Sequence, residues 1–143
     1  MAKGHKDKVA VITGAAGGIG QAFAKRLAED GVHIAVADLG DGGETVKMVQ
    51  AAGRDAIAVN CDVADEASVA AMAKAVQGKF SHVDIVVNCA GIFPQKNFPE
   101  MTFADWRKVM AINLDGTFLV TAAFVAGMRA RQWSPGAWCR KRI

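Results

Sequence analysis

The chain is 143 residues long, 52% apolar and 22% charged, with a net charge of +3. That length suits one domain, and that apolar content excludes a disordered chain. Basic residues cluster only at Arg140, Lys141 and Arg142, which argues for a solvated tail and against a nucleic-acid-binding surface.

The first apolar run, Val9-Ala10-Val11-Ile12, stops at glycines, as a strand buried on both faces does. A helical pattern follows, with Ile19, Ala22, Phe23 and Leu27 on one face and Lys25, Glu29 and Asp30 on the other, ending at Gly31. Ile34 to Ala37 reads as a second buried strand closed by Asp38. Glu44 to Ala52 reads as a helix with Val46 and Val49 inward, stopped by Gly53. Ala56 to Val59 is the third strand. Asp65 to Lys79 is the next helix, with Asp65 as its N-cap and Val69, Met72, Ala73 and Val76 at core spacing. Val83 to Val87 is the fourth strand, and Thr102 opens a long helix to about Gln132, bent near Gly116. Strand and helix alternate four times with no repeated sequence motif, which predicts a doubly wound α/β fold with a parallel sheet. The predicted domain covers residues 1–133, with an irregular tail at 134–143.

Thr13-Gly14-Ala15-Ala16-Gly17-Gly18-Ile19-Gly20 lies between the first strand and the first helix. A glycine turn with no ligand is the plain alternative, but placement inside a βαβ unit points to a Rossmann-type phosphate loop. Gly14 permits the tight turn, Gly18 lets backbone approach a pyrophosphate, and Gly20 lets the helix pack on the sheet. The helix N-terminus offers N–H groups and a favourable dipole to the anion. Ala16 and Ile19 belong to the same expected contact surface. Asp38, at the end of the second strand, stands where an acidic residue meets the adenosine ribose hydroxyls. A carboxylate there repels a 2′-phosphate, and neither Ala15, Ala16 nor Leu39 supplies a cation to hold one. NAD is therefore expected rather than NADP. Gly40-Asp41-Gly42 keeps a second role open for Asp38, as a strand-end turn former.

The spacing of Thr13, Gly14, Gly18 and Gly20 resembles that of the short-chain dehydrogenases/reductases. Three later features resemble the same family in order: Asp62-Val63 after the third strand, Asn88-Cys89-Ala90-Gly91 after the fourth, and Ile112-Asn113 in the long helix. The resemblance covers roughly residues 7 to 133. It implies that Asp62 and Val63 close over the adenine, that Asn88, Ala90 and Gly91 border the cofactor, and that Asn113 is an active-site residue holding a water in a proton relay. Plainer roles stand beside these: Asp62 as a cap of the next helix, Asn88 as a tie between loops. Asn113, in an otherwise apolar segment, is expected to be a buried amide in need of partners.

The resemblance also implies a Ser at the end of a fifth strand and a Tyr and a Lys four positions apart on the following helix. The Tyr exchanges the proton and the Lys lowers its pKa. The sequence contains no tyrosine. Lys141, His5, His33 and His82 are the candidate substitutes, and the histidines fall mostly at the wrong ends of the strands. Residues Ser134 to Ile143 show neither strand alternation nor a buried run, so a frame shift or an engineered truncation is expected there. Two readings follow: an NAD-dependent alcohol dehydrogenase or carbonyl reductase for a full-length parent, and a catalytically incomplete dinucleotide-binding, self-associating fragment for this chain.

Cys61, Cys89 and Cys139 form no Cys-x-x-Cys pair, and the three histidines have no metal-ligand spacing. Both points suit a reducing cytoplasm without a metal site. No apolar signal region opens the chain, and charges are expected to break every apolar run before it spans a membrane. The resemblance places the first strand between the second and the fourth, with a fifth covering the fourth. Without the fifth, Val83–Val87 is an open edge. Met110, Leu114, Phe118, Leu119, Phe124 and Val125 add apolar surface on the long helix, which in the family lies at a subunit interface. A homodimer or larger homo-oligomer through either element is expected.

Overall fold

Val9–Thr13 (β1), His33–Asp38 (β2), Ala56–Asn60 (β3) and Ile85–Val87 (β4) form one sheet in the order β3-β2-β1-β4. All neighbouring pairs are parallel, with Ala10 opposite Ile34 on one side and Ile85 on the other. The helices between them are Gly18–Glu29 (α1), Gly43–Ala51 (α2) and Glu66–Lys79 (α3). After β4 come a single 3-10 turn at Phe98–Glu100, then Phe103–Met110 (α4), a π-helical turn at Ala111–Asp115, and Gly116–Gln132 (α5). This computed structural model describes residues 4–132, so the expected tail at 134–143 lies outside the described residues.

Side chains alternate between the two faces of the sheet, as the pleat requires. Val9, Val11, Ala35 and Ala37 pack with Val69, Met72 and Val76 of α3 and with Val120 and Phe124 of α5. Ala10, Ile12, Ile34 and Val36 pack with Ala24 and Ala28 of α1 and Val49 of α2. Burial of each Val or Ile side chain contributes about 1.5–3 kcal/mol, which accounts for the unbroken apolar runs of β1 and β2. Asp65 caps α3 as expected, its carboxylate accepting from Ser68 N at 3.0 Å.

The buried face of α1 differs from the expected one. Gly20, Ala24 and Ala28 are its buried residues, whereas Ile19 is 73% and Phe23 47% exposed. The helix lies so close to β1 that only small side chains fit beneath it, and the apolar periodicity is overruled by that approach. β4 is also shorter than the expected Val83–Val87. Asp84 N donates to Val9 O at 2.9 Å while Val9 N donates back to the Asp84 side chain at 3.0 Å, so a carboxylate replaces the ladder acceptor.

The long helix keeps its start at Thr102, where a capping box with Asp105 satisfies the first turn. Its interior carries the π turn directly before Gly116. Leu119 and Phe124, expected to be surplus apolar surface, instead pack in the core, while Leu114, Phe118 and Val125 stay exposed. The expectation that charges break every apolar run fails here. Phe103–Arg131 is long and apolar enough by composition to cross a membrane, with a mean hydropathy of 1.7 over its best stretch. Val120 and Phe124 dock this helix on α3 and the sheet, making it an outer helix of the α/β layers.

Candidate functional site

The chain winds from β1 outward through β2 to β3, then returns across β1 to β4. Open parallel sheets bind ligands in the crevice at the carboxyl ends of strands where the winding reverses. A cleft of ≈ 270 Å³ lies at those ends, lined by Gly14, Asp38, Leu39, Cys61, Asp62, Val63, Cys89, Ala90, Gly91, Ile92 and Ile112. Seven of the residues expected from sequence are thereby brought to one cleft: Gly14, Asp38, Leu39, Asp62, Val63, Ala90 and Gly91.

The glycine loop is shaped by close approach. Gly14 has φ +65°, and a Cβ on it would sit 2.8 Å from Ala90 Cα. A Cβ on Gly20 would collide with the Gly14 carbonyl. Gly18, at φ +54°, has open space on its side-chain face, where a ligand could approach the backbone. No side chain caps α1, and no acidic residue sits in its first turn. That leaves its leading N–H groups open to an anion. Ile19 is exposed beside them, and the Ala16 N–H is committed to Asp38 Oδ2 at 2.8 Å.

Asp38 performs the turn-forming role as well as facing the cleft. Its Oδ1 accepts from Gly40 N at 2.8 Å. Each carboxylate oxygen keeps a further lone pair, so acceptor capacity toward the cleft remains. Asp62 does not cap α3. Its Oδ1 accepts from Ala64 N at 2.9 Å, and its own N–H donates to Ser68 Oγ.

Asn88 lies outside the main cleft, and its Nδ2 donates to Thr121 Oγ1 of α5 at 3.0 Å, the tie between elements that was its plainer reading. Asn113 is exposed rather than buried. Its Nδ2 donates to Ile92 O and its Oδ1 accepts from Ile92 N, both at 2.9 Å. Both ends of the amide are thus used to hold the loop after β4. The Asn113 carbonyl, inside the π turn, accepts from Thr117 Oγ1 at 2.9 Å.

Several contributors were not among the expected residues. Thr13, 1% exposed, has its hydroxyl oxygen accepting from Cys89 N at 3.0 Å and Ala90 N at 3.1 Å. Thr45, fully buried, donates from its hydroxyl to Ala15 O at 2.8 Å and accepts from Gln21 Nε2 at 3.0 Å. Gly116 lets α5 pass beside Val63, whose Cγ2 would lie 2.8 Å from an added Cβ. Cys61, Cys89, Ile92 and Ile112 complete the cleft wall. Burial pushes the Cys61 thiol up. Beyond the cleft, Lys96 and then Thr102 donate to Asp105 and hold its carboxyl well below the usual carboxylate range, tying the loop to the start of α4. Among the described residues, no three potential metal ligands converge.

The family model for short chain dehydrogenase matches residues 8–135. The chain belongs to that family. The similar proteins include D-threitol dehydrogenase of Mycolicibacterium smegmatis, 42% identical over 91% of this chain and 50% of that protein. Cis-4-hydroxycyclohexanecarboxylate dehydrogenase of Sinomonas cyclohexanicum is 40% identical over 83% of this chain and 49% of its own length. The crystal structure of a short chain dehydrogenase/reductase from Burkholderia phymatum in complex with NAD superposes with a TM-score of 0.84 at 34% identity. It is matched over 91% of this chain and 47% of the Burkholderia chain. The chain therefore spans about half the length of these relatives. Nicotinamide-dinucleotide binding and oxidoreductase chemistry are properties of the family, and the parallel sheet and crevice conform to its fold.

Proposed function

We propose that this chain binds NAD in preference to NADP, and that in the whole protein the bound NAD accepts or returns a hydride at an alcohol or carbonyl carbon. One juxtaposition carries the reading: Gly14, which opens the loop into the uncapped α1, and Asp38 line the same crevice, and the Asp38 carboxylate accepts from Ala16 N of that loop at 2.8 Å. The loop from Gly14 to Gly20 would hold the pyrophosphate, Asp38 and Leu39 the adenosine ribose, and Asp62 and Val63 the adenine. Ala90 and Gly91 form the opposing wall, kept in place by Thr13 and, through Ile92, by Asn113. Relatives named as dehydrogenases of hydroxylated compounds support the alcohol half of the proposal.

With no tyrosine in the sequence, the family's usual acid/base is not supplied by these residues. The 143-residue chain is accordingly read as the dinucleotide-binding, self-associating portion, catalytically incomplete by itself. Unpaired Cys61 and Cys89 support a reducing compartment, the cytoplasm.

Calorimetric titration of the chain with NAD, NADP and ADP-ribose tests this. A carboxylate about 5 Å from a 2′-phosphate costs roughly 3 kcal/mol per unit charge at an effective dielectric of about 20. Solvent screening reduces that, so NADP is expected to bind at least ~10-fold more weakly than NAD. Asp38→Asn should bring the two affinities together. ADP-ribose should match NAD if only the adenosine half of the site is formed. Tighter binding of NADP would sink the cofactor assignment, and no binding of any of the three would sink the site.

Self-association is proposed through Leu114, Phe118 and Val125, exposed by 56%, 70% and 41% along one stripe of the long helix. The half-exposed edge strand β4 adds a second apolar surface. Sedimentation of the unmodified chain should show dimers or larger species, and Phe118→Glu should move the equilibrium toward monomer at least ~10-fold. An unmodified chain that stays monomeric across the working concentration range would overturn this.

A further inference from the structure

At the other end of the sheet, ahead of β4, a second cavity of ≈ 360 Å³ is lined by Gln77, Ser81, His82, Val83, Phe124, Gly127, Met128 and Arg131. Three of the side chains at this end form a connected series. Ser81 Oγ lies 2.8 Å from His82 Nδ1, and His82 Nε2 lies 3.2 Å from Asp84 Oδ2. We infer that Ser81, His82 and Asp84 form a nucleophile–base–carboxylate site for hydrolysis of a small ester with an apolar acyl group.

The contacts set the protonation pattern. The Asp84 carboxylate, 3.2 Å from Nε2, favours the imidazole tautomer with its proton on that nitrogen, since an ionised carboxylate only accepts. Nδ1 then carries the lone pair and receives the Ser81 hydroxyl, the arrangement in which histidine acts as general base toward serine. Asp84 is not free to turn away. Val9 N donates to its Oδ2 at 3.0 Å, and Arg131 Nη1 lies 3.4 Å from its Oδ1. β1 and α5 therefore both orient the carboxylate, whose Oδ2 also faces the imidazole. Ser81 is exposed and can meet substrate, while the His82 and Asp84 side chains are 26% and 18% exposed. Val83, Phe124 and Met128 give the cavity its apolar wall, and Gln77 and Arg131 bring N–H donors to its lining for the developing oxyanion.

In the step proposed, Ser81 Oγ bonds to the acyl carbon as its proton passes to His82 Nδ1. The bond from that carbon to the leaving oxygen breaks, and the alcohol departs with the proton from His82. Water, deprotonated by His82, then releases the carboxylic acid and restores the serine. The products are one acid and one alcohol per ester and water consumed. Nothing in this depends on the dinucleotide cleft, which lies at the opposite ends of the strands.

A fluorophosphonate probe applied to the full chain, with peptide mapping, tests the site directly. The expected result is a phosphonyl adduct on Ser81, absent in Ser81→Ala and formed at least ~100-fold more slowly in His82→Gln. Hydrolysis of p-nitrophenyl butyrate should fall to the solvent background in Ser81→Ala, with no change in its thermal midpoint, since that side chain is exposed. Absence of the adduct from the unmodified chain would overturn the inference, whatever the variants do. So would labelling of His82→Gln at the unmodified rate, which would leave the three residues as a loop tie only.

Discussion

Replacing Gly20 by alanine is expected to destabilise the fold by about 2–4 kcal/mol and to abolish dinucleotide binding. The added methyl would collide with the Gly14 carbonyl oxygen and stand 2.7 Å from its carbon and 2.9 Å from Ala15 Cα. All three are backbone atoms, so no side chain can swing aside to relieve the clash. α1 must lift from β1 instead, loosening the contacts of Ala24 and Ala28 and distorting the loop that would receive the phosphates. Gly78 is the matching control. It lies in α3 with nothing within 4 Å of an added Cβ, and its alanine variant should gain roughly 0.5–1 kcal/mol from reduced backbone entropy. Urea denaturation of both variants, with NAD titration alongside, checks the pair. A Gly20→Ala chain as stable as the unmodified one would mean that α1 does not pack as closely as described.

The second large effect is expected at Thr13. Valine preserves its shape but leaves the Cys89 and Ala90 N–H groups without their acceptor. An orphaned buried donor costs about 1–3 kcal/mol, and both donors here are only partly buried, so a loss of about 2–4 kcal/mol is expected for the two together. Binding should also weaken at least ~10-fold, because Cys89, Ala90 and Gly91 form the cleft wall facing Asp62 and Val63. Thr13→Ser keeps the hydroxyl and should retain most of both properties. A valine variant as stable and as tightly binding as the unmodified chain would show that the Thr13 hydroxyl does not hold this wall.

The parallel sheet was legible because four apolar runs alternate with helical patterns joined by short connections, whereas its strand order was implied only by the family resemblance. The glycine loop was legible because its position, between a buried strand and a helix, is a local property. α3 was read correctly to its cap, since Asp65 and its partner Ser68 lie three residues apart. α1 was read wrongly on its inward face. Periodicity assigns the largest apolar residues to the core, while the Gly20–Gly14 contact admits only small ones there. Thr13, Thr45 and Asn113 went unread in their actual roles for a related reason. Their partners lie 76, 30 and 21 residues away, and no local pattern marks them.

Composition, periodicity and glycine placement, all properties of short stretches, were enough to establish a strand–helix alternation, a phosphate-type loop and the acidic residue at the end of β2. Folding settled which of these meet: the return across β1 brings Ala90 against Gly14, and the close approach of Gly116, at the start of α5, to Val63 closes the wall there. It also assembled Ser81, His82 and Asp84 beneath the end of α5, through an Arg131 contact 47 positions along the chain. Short-range preferences choose the elements. Excluded volume and the need to pair every buried polar group choose how they are joined.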